Sequence, residues 1–402
     1  MTLAAKSLED LRSLLPSATV REREGKPVTS PQTTEEVATI TRYANAHKLS
    51  IEILGAGTKR GWGNPVTADL LLDTTKLTGV RQHSWQDLTA TVAAGTPWAT
   101  MQRALAQHNQ QVALDPLWPE TATVGGIIAT NDSGAWRLKY GSLRDLIIGM
   151  TIVLADSTIA KSGGKVVKNV AGYDLHKLMT GAFGTLGIIT EVTFRLHPIP
   201  QHTQTFTVDA GQAEQLEPLM AAIRDSHLLV EAVQLRGDGY GFHLDIQLSA
   251  HPEARHAELL TKTVEGNRLT LKPSSTEIWR VREVLFANDN AFVAKCSTLP
   301  ADLTSFGERV MSLNGVFVAQ SIGTMITSFD APGHTTGYGV ETLRAEMEER
   351  GGSLSILKYP NPSWSGLPAD RINSTALPLM REIKHRFDPN RILNPGRFIG
   401  GI

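Results

Sequence analysis

Cysteine is almost missing from this chain: Cys296 is alone among 402 residues. One thiol excludes an internal disulfide framework, and it leaves the chain without the set of cysteine thiolates that an iron–sulfur cluster requires. Long apolar runs are missing as well. The best candidate, LIIGMTIVLA, is broken by Gly149 and bounded by Asp145 and Asp156, short of the roughly 18 residues of a membrane-spanning helix. Neither sign of charge dominates, since 39 Lys and Arg stand against 40 Asp and Glu, giving a formal net charge of -1. Nothing here pulls toward nucleic acid or an anionic membrane surface. The start, MTLAAKSLEDLRSLLPSATV, places acidic residues where a signal peptide carries its apolar centre, so it reads as a short amphipathic helix. The expectation is a cytosolic protein with no direct membrane insertion, and small molecules or proteins as partners. Internal repeats, low-complexity segments and long charge runs are absent too.

What is present is length and glycine. At 402 residues, against roughly 150 per domain, the chain divides into two or three parts. Residues 1–26 form the helical start, and 27–200 hold glycine-punctuated strands and helices. Thr33 or Thr34 caps a helix carrying Glu35 and Glu36 in its first turn, with Val37, Ile40, Tyr43 and Ala44 on one face. The strand SIEILG follows and runs into Gly55, Ala56, Gly57, Thr58 and Lys59. HPIPQ, around Pro198 and Pro200, is the clearest break. From 201 to 370, strand-like pieces such as GFHLDIQL alternate with helix-like ones such as DLTSFGERVMSL, the pattern of an α+β domain on an antiparallel sheet. Residues 371–402 read as a helix ended by a Pro-rich turn.

Glycine costs about 0.5–1 kcal/mol relative to alanine inside a helix or strand. The stretch PETATVGGIIATNDSGAWRLKYG nonetheless places Gly125, Gly126 and Gly134 in an otherwise apolar, strand-like setting. Together with LGAGTKRGWG it makes two glycine loops at strand ends. Backbone N–H groups in such loops bind a compact dianion such as pyrophosphate, and two loops clamp it from both sides. The rival is a Rossmann fingerprint, in which the loop opens directly into a helix. Gly61, Trp62, Gly63, Asn64 and Pro65 would destroy that helix, so the Rossmann reading is rejected.

The series LGAGTKRGWG, PETATVGGIIATNDSG, YGSLRDLIIGMTIVLADSTIAKSGGKVVKNVAGYDLHKLMTGAFGTLGIITEVTFRL and FDPNRILNPGRF, in that order, closely resembles the FAD-linked oxidases of the vanillyl-alcohol-oxidase type. Within them, KNVAGYDLHKL looks most like the FAD-binding subunit of bacterial glycolate oxidase. The resemblance implies a two-subdomain PCMH-type FAD-binding domain over 27–200, an α+β domain with an antiparallel sheet over 201–370, and a tail returning to the flavin. Carried over by position, Gly55, Ala56, Gly57, Thr58 and Lys59 match the first phosphate loop. Thr123, Val124, Gly125, Gly126, Ala129, Thr130, Asn131 and Gly134 match the second, with Tyr140 and Gly141 beyond. Gly184, Gly187, Ile188 and Ile189 belong to the GTLGI turn against the cofactor, and Asn394 matches the tail asparagine near the flavin. Ile188 and Ile189 suit plain core equally, and Asn394 before Pro395 suits a turn. Members that attach FAD covalently carry histidine about where Thr58 stands, so the resemblance implies non-covalent FAD.

The resemblance also implies a small 2-hydroxy acid as substrate, glycolate or D-lactate, within a complex. Catalytic subunits of that type carry a histidine-rich metal motif in the second domain, and none occurs here. His243 with Asp245, and His251 with His256, lack a metal-ligand spacing. No metal site and no catalytic residue are assigned. The expected partners are a second FAD-containing catalytic subunit and an iron–sulfur subunit, through which any membrane association would run. The alternatives are a self-sufficient FAD-dependent 2-hydroxy-acid or alcohol dehydrogenase and a structural subunit without turnover.

Overall fold

The computed structural model describes residues 3–15, 20–164, 174–249, 255–330, 334–360 and 376–402. They form two units of mixed α+β architecture. The first comprises Met1–Asp132, Ser142–Ile199 and Ile372–Ile402, and the second Ser133–Gly141 and Pro200–Arg371. The expected boundary at 370 and residues 168–173 of the KNVAGYDLHKL motif lie outside the described residues.

In the first unit, the hydroxyl of Thr33 accepts the Glu36 N–H and starts the helix Thr34–His47. Glu35 and Glu36 sit at its positive end, and Val37, Ile40, Tyr43 and Ala44, spaced by three and four, are buried. Lys48 closes it in the left-handed region at φ 54°. The chain then enters the strand Ile51–Leu54, paired in parallel with Leu70–Asp73. Lys26–Thr29 lies on the other side of Leu70–Asp73, and Val20–Arg23 edges the sheet antiparallel to it. The first glycine loop therefore springs from the carboxyl end of a parallel strand, where open α/β sheets collect ligands. The unit's second sheet is antiparallel, in the order Val80–Ser84, Thr89–Ala93, Ile188–Arg195, Ile147–Val153, Ile159–Gly163. Its inward Val92, Ile152, Val192 and Phe194 share one core with Trp98, Val124, Ile127 and Ile128.

Those last residues correct one expectation. The stretch around Gly125 and Gly126 reads as strand-like because of its adjacent isoleucines and threonines, yet Val124–Thr130 is a helix. The Thr123 hydroxyl accepts the Gly126 N–H at its start, and Asn131 ends it at φ 48°. Val124, Ile127 and Ile128 fall on one face and reach the core, so burial overrides the β-branched preference.

Among the described residues the second unit holds one eight-stranded antiparallel sheet. Its order is Leu271–Pro273, Thr203–Ala210, Gly241–Ser249, Val230–Asp238, Gly315–Gln320, Thr324–Asp330, Ala291–Ser297, Ser353–Lys358. Alternation sends Val233, Leu235, Leu244, Ile246, Phe317 and Phe329 into an apolar core with residues of the helices Glu217–Arg224 and Leu303–Ser312. Among the described residues no helix is long and apolar enough to cross a membrane.

Candidate functional site

A groove opens in the first unit, walled by three of the segments singled out in the sequence and by the tail. The first loop contributes Gly55, Ala56, Gly57, Thr58, Lys59 and Arg60. The second segment contributes Thr123, Gly125, Gly126, Ala129 and Thr130. Phe183, Gly184, Gly187 and Ile189 come from the GTLGI turn, and Asn394 and Arg397 from the tail.

The two glycine segments serve the groove differently. Among the described residues, the backbone N–H groups of Ala56, Gly57 and Thr58 have no protein acceptor, so they stand ready for an anionic ligand. In the second segment the Gly125 N–H already donates to the Ala94 carbonyl at 2.7 Å, and the Gly126 N–H reaches the Thr123 hydroxyl at 3.3 Å. Glycine here is a matter of space. A Cβ on Gly55 would stand 2.2 Å from the Thr123 hydroxyl oxygen, so the two segments touch only because that side chain is absent.

Buried polar contacts lock the walls together. The Asn394 carboxamide accepts the Ile53 N–H at 2.8 Å and donates to the Phe183 carbonyl at 2.7 Å, while its own N–H donates to the Ile51 carbonyl. One side chain thus joins the first strand, the GTLGI turn and the tail. Behind it, the Lys384 ammonium donates to the carbonyls of Thr185 and Leu393 at 2.8 and 3.0 Å and to the Asp388 carboxylate at 2.6 Å. That carboxylate also accepts the N–H groups of Ile392 and Leu393. Burial pulls the Lys384 pKa down, against the opposing pull of Asp388. The Lys59 ammonium turns away to pair with buried Asp132 at 3.2 Å, close to the rings of Trp62 and Trp118. Asp132 accepts the Leu117 N–H as well. This ion pair ties the first loop to the end of the second.

Six of the residues matched by resemblance do not line the groove. Val124 and Ile188 are fully buried core. Asn131 caps the helix Val124–Thr130. Gly134, Tyr140 and Gly141 belong to the second unit. There the Ser133 carbonyl accepts from Arg282 and Gln320, Trp136 donates to Gln247, and the Tyr140 hydroxyl donates to buried Glu231 at 2.7 Å. Burial, more than the Glu231 hydrogen bond, drives the Tyr140 pKa upward.

His243 lies between the carboxylates of Asp209 and Asp238, and Asp245 is taken by Arg236, Gln234 and Thr207. His251 lies outside the described residues. Among those described, no three His, Cys, Asp or Glu side chains gather as a metal site. Cys296 is fully buried, and that burial pushes its thiol up to about 12 despite the Thr327 hydroxyl and the charge of Arg344.

Of the NPGRF stretch the resemblance implies only Asn394 at the flavin, and the structure adds Arg397. Arg397 lines the groove at 6% exposure, with its Nη2 donating to the carbonyls of Lys59 and Arg60. Burial lowers its pKa. The available signal was an arginine three residues beyond Asn394, on the same turn.

A lining with open amides, three cations and no carboxylate suits a dinucleotide cofactor with a pyrophosphate. The comparisons agree. The family described as FAD binding domain matches residues 26–163, and that described as FAD linked oxidases, C-terminal domain, matches 369–398. Mitochondrial D-lactate dehydrogenase [cytochrome] of Arabidopsis thaliana is 32% identical over 92% of this chain and 73% of its own length. Glycolate oxidase subunit GlcE of Escherichia coli is 36% identical over 44% of this chain and 53% of its own. In fold, p-cresol methylhydroxylase superposes with a TM-score of 0.76 at 18% identity, covering 98% of this chain and 96% of that one.

Proposed function

Because the chain belongs to the FAD-linked oxidases, oxidoreductases that act on hydroxy acids with FAD, we propose that it is the FAD-binding subunit of a complex oxidising a small 2-hydroxy acid. The groove carries this reading, with its open amides at Ala56–Thr58 and its tail locked on by Asn394. Bound FAD supplies a two-electron acceptor for the carbon bearing the hydroxyl. The chain's own residues do the rest: the amides of the first loop take the pyrophosphate, Gly125 and Gly126 leave room beside it, and the Lys59–Asp132 pair fixes the distance between the segments. Thr58 stands where covalent relatives carry histidine, so the FAD is held without a covalent bond. The substrate is glycolate, passing to glyoxylate, or D-lactate.

A single buried cysteine cannot hold the clusters that carry electrons one at a time. An iron–sulfur partner supplies that relay, and a second flavin-containing subunit supplies the hydroxy-acid site. The extended match to a D-lactate dehydrogenase favours a second reading, a dehydrogenase that acts alone on D-lactate. Purified alone, the chain should carry one acid-extractable FAD and reduce an artificial dye only weakly with glycolate or D-lactate, whereas co-expression with the partner subunits should restore turnover. Vigorous dye reduction by the chain alone establishes the second reading, and a flavin-free protein that ignores added FAD points to a structural subunit.

A further inference from the structure

We infer that Arg397 is a cofactor-binding residue whose guanidinium donates to an acceptor oxygen of bound FAD. The inference rests on the FAD reading of the groove and adds to it a residue that neither glycine loop contains. Three cations line the groove, Lys59, Arg60 and Arg397. Two are committed elsewhere: Lys59 pairs with Asp132 at 3.2 Å, and Arg60 forms a two-pronged pair with Glu52, both contacts at 2.8 Å. Arg397 differs. Among the described residues only its Nη2 is engaged, by the carbonyls of Lys59 and Arg60 at 3.1 and 3.3 Å, and its buried Nε has no acceptor.

An arginine cannot shed its proton to escape such a position, and a buried donor without an acceptor costs more than the bond it would make gains. Glu52 is the acid whose charge favours this guanidinium, and its carboxylate is already occupied by Arg60. The ring of Phe183, 6.0 Å from the guanidinium carbon, offers no oxygen. Arg397 lines the groove, so the inference takes the acceptor for its guanidinium from whatever fills that groove. In FAD, two kinds of oxygen meet the requirement, those of the pyrophosphate and the ring carbonyls of the isoalloxazine. A role confined to the fold would need Nη2 alone, which clasps the turn after the first loop.

The test uses the full-length apoprotein and measures thermal unfolding with and without FAD, ADP and riboflavin, for wild type, Arg397→Gln and Arg397→Lys. In Arg397→Gln the increment that FAD adds to the midpoint should shrink by the equivalent of at least about tenfold in affinity. A loss shared by FAD and ADP assigns the pyrophosphate as the acceptor, and a loss shared by FAD and riboflavin assigns the ring; both support the inference. If the apoprotein midpoint falls while the FAD increment stays whole, the residue only clasps the turn and the inference is overturned. Should Arg397→Gln fail to fold, Arg397→Lys, which keeps the cation but loses the planar fork, must still lose part of the wild-type increment, and wild-type affinity there overturns the inference too. A wild-type protein with no FAD increment at all would instead bring down the functional reading on which the inference stands.

Discussion

Gly126 is a residue at which one added carbon should separate folding from function. Its ideal Cβ would approach the Thr123 hydroxyl to 3.0 Å, a distance a small shift relieves, and beyond its chain neighbours and its own helix backbone no other described atom stands within 4 Å. The rest of a larger side chain would enter the groove beside the first loop. In the helix Val124–Thr130 valine carries no propensity cost against the glycine it replaces, since glycine itself lies about 1 kcal/mol below alanine. Gly126→Val should therefore keep its far-UV circular dichroism and lose most of its flavin absorbance as purified. Equal flavin content in the two proteins would show that the space beside Gly126 is not used. The glycine pair was legible in the sequence because so costly a residue, doubled in an apolar stretch, needs a reason. Its division of labour was not, since the Gly125 N–H is spent on Ala94, a partner thirty-one residues away in sequence.

At the scale of elements, the tail does what its composition concealed. Lys384 lies in the last turn of the helix Leu377–Phe387 among Lys, His and Arg neighbours, a charge pattern that reads as a solvated helix end favourable to the dipole. The structure buries that one lysine, with Asp388, against the Thr185 and Leu393 carbonyls. Removing the lysine alone strands a buried carboxylate, which costs about 3–5 kcal/mol. Lys384→Met should destabilise the apoprotein by that order in urea unfolding, and Lys384→Met with Asp388→Asn should recover part of the loss. The double variant should still bind FAD less tightly, because one of the two ties from the tail to the GTLGI turn is gone and only that of Asn394 is left. If the single variant is as stable as wild type, the ammonium does not hold these walls. The same contrast explains two other gaps between sequence and structure. Val124–Thr130 looks extended until its core partners are known, and Trp136 gives no local sign that it will pack with Ala232 and Trp279 of a distant sheet.

For the whole molecule, chain order and spatial order differ. The eight strands of the second unit lie between residues 203 and 358, a continuous stretch whose alternating pattern was readable as an antiparallel α+β domain. The first unit is assembled from three pieces, and the last of them, beginning beyond the second unit, carries Asn394 and Arg397 into the groove wall and Lys384 behind it. Motif order showed that the tail returns, but several of the contacts that close the groove join residues more than three hundred positions apart, as Ile53 and Asn394 do, and no local pattern encodes them. A chain ended after Ala376 should then lose FAD binding altogether and expose the first unit to protease. Fragments covering the second unit's strands should stay resistant, because among the described residues the ladder from Thr203–Ala210 to Ser353–Lys358 takes no strand from the tail. Limited trypsin digestion with mass spectrometry reads both halves of this expectation. If the shortened chain still binds FAD with wild-type affinity, then Asn394 and Arg397 are ornaments of the groove rather than its wall, and the first loop and second segment hold the cofactor by themselves.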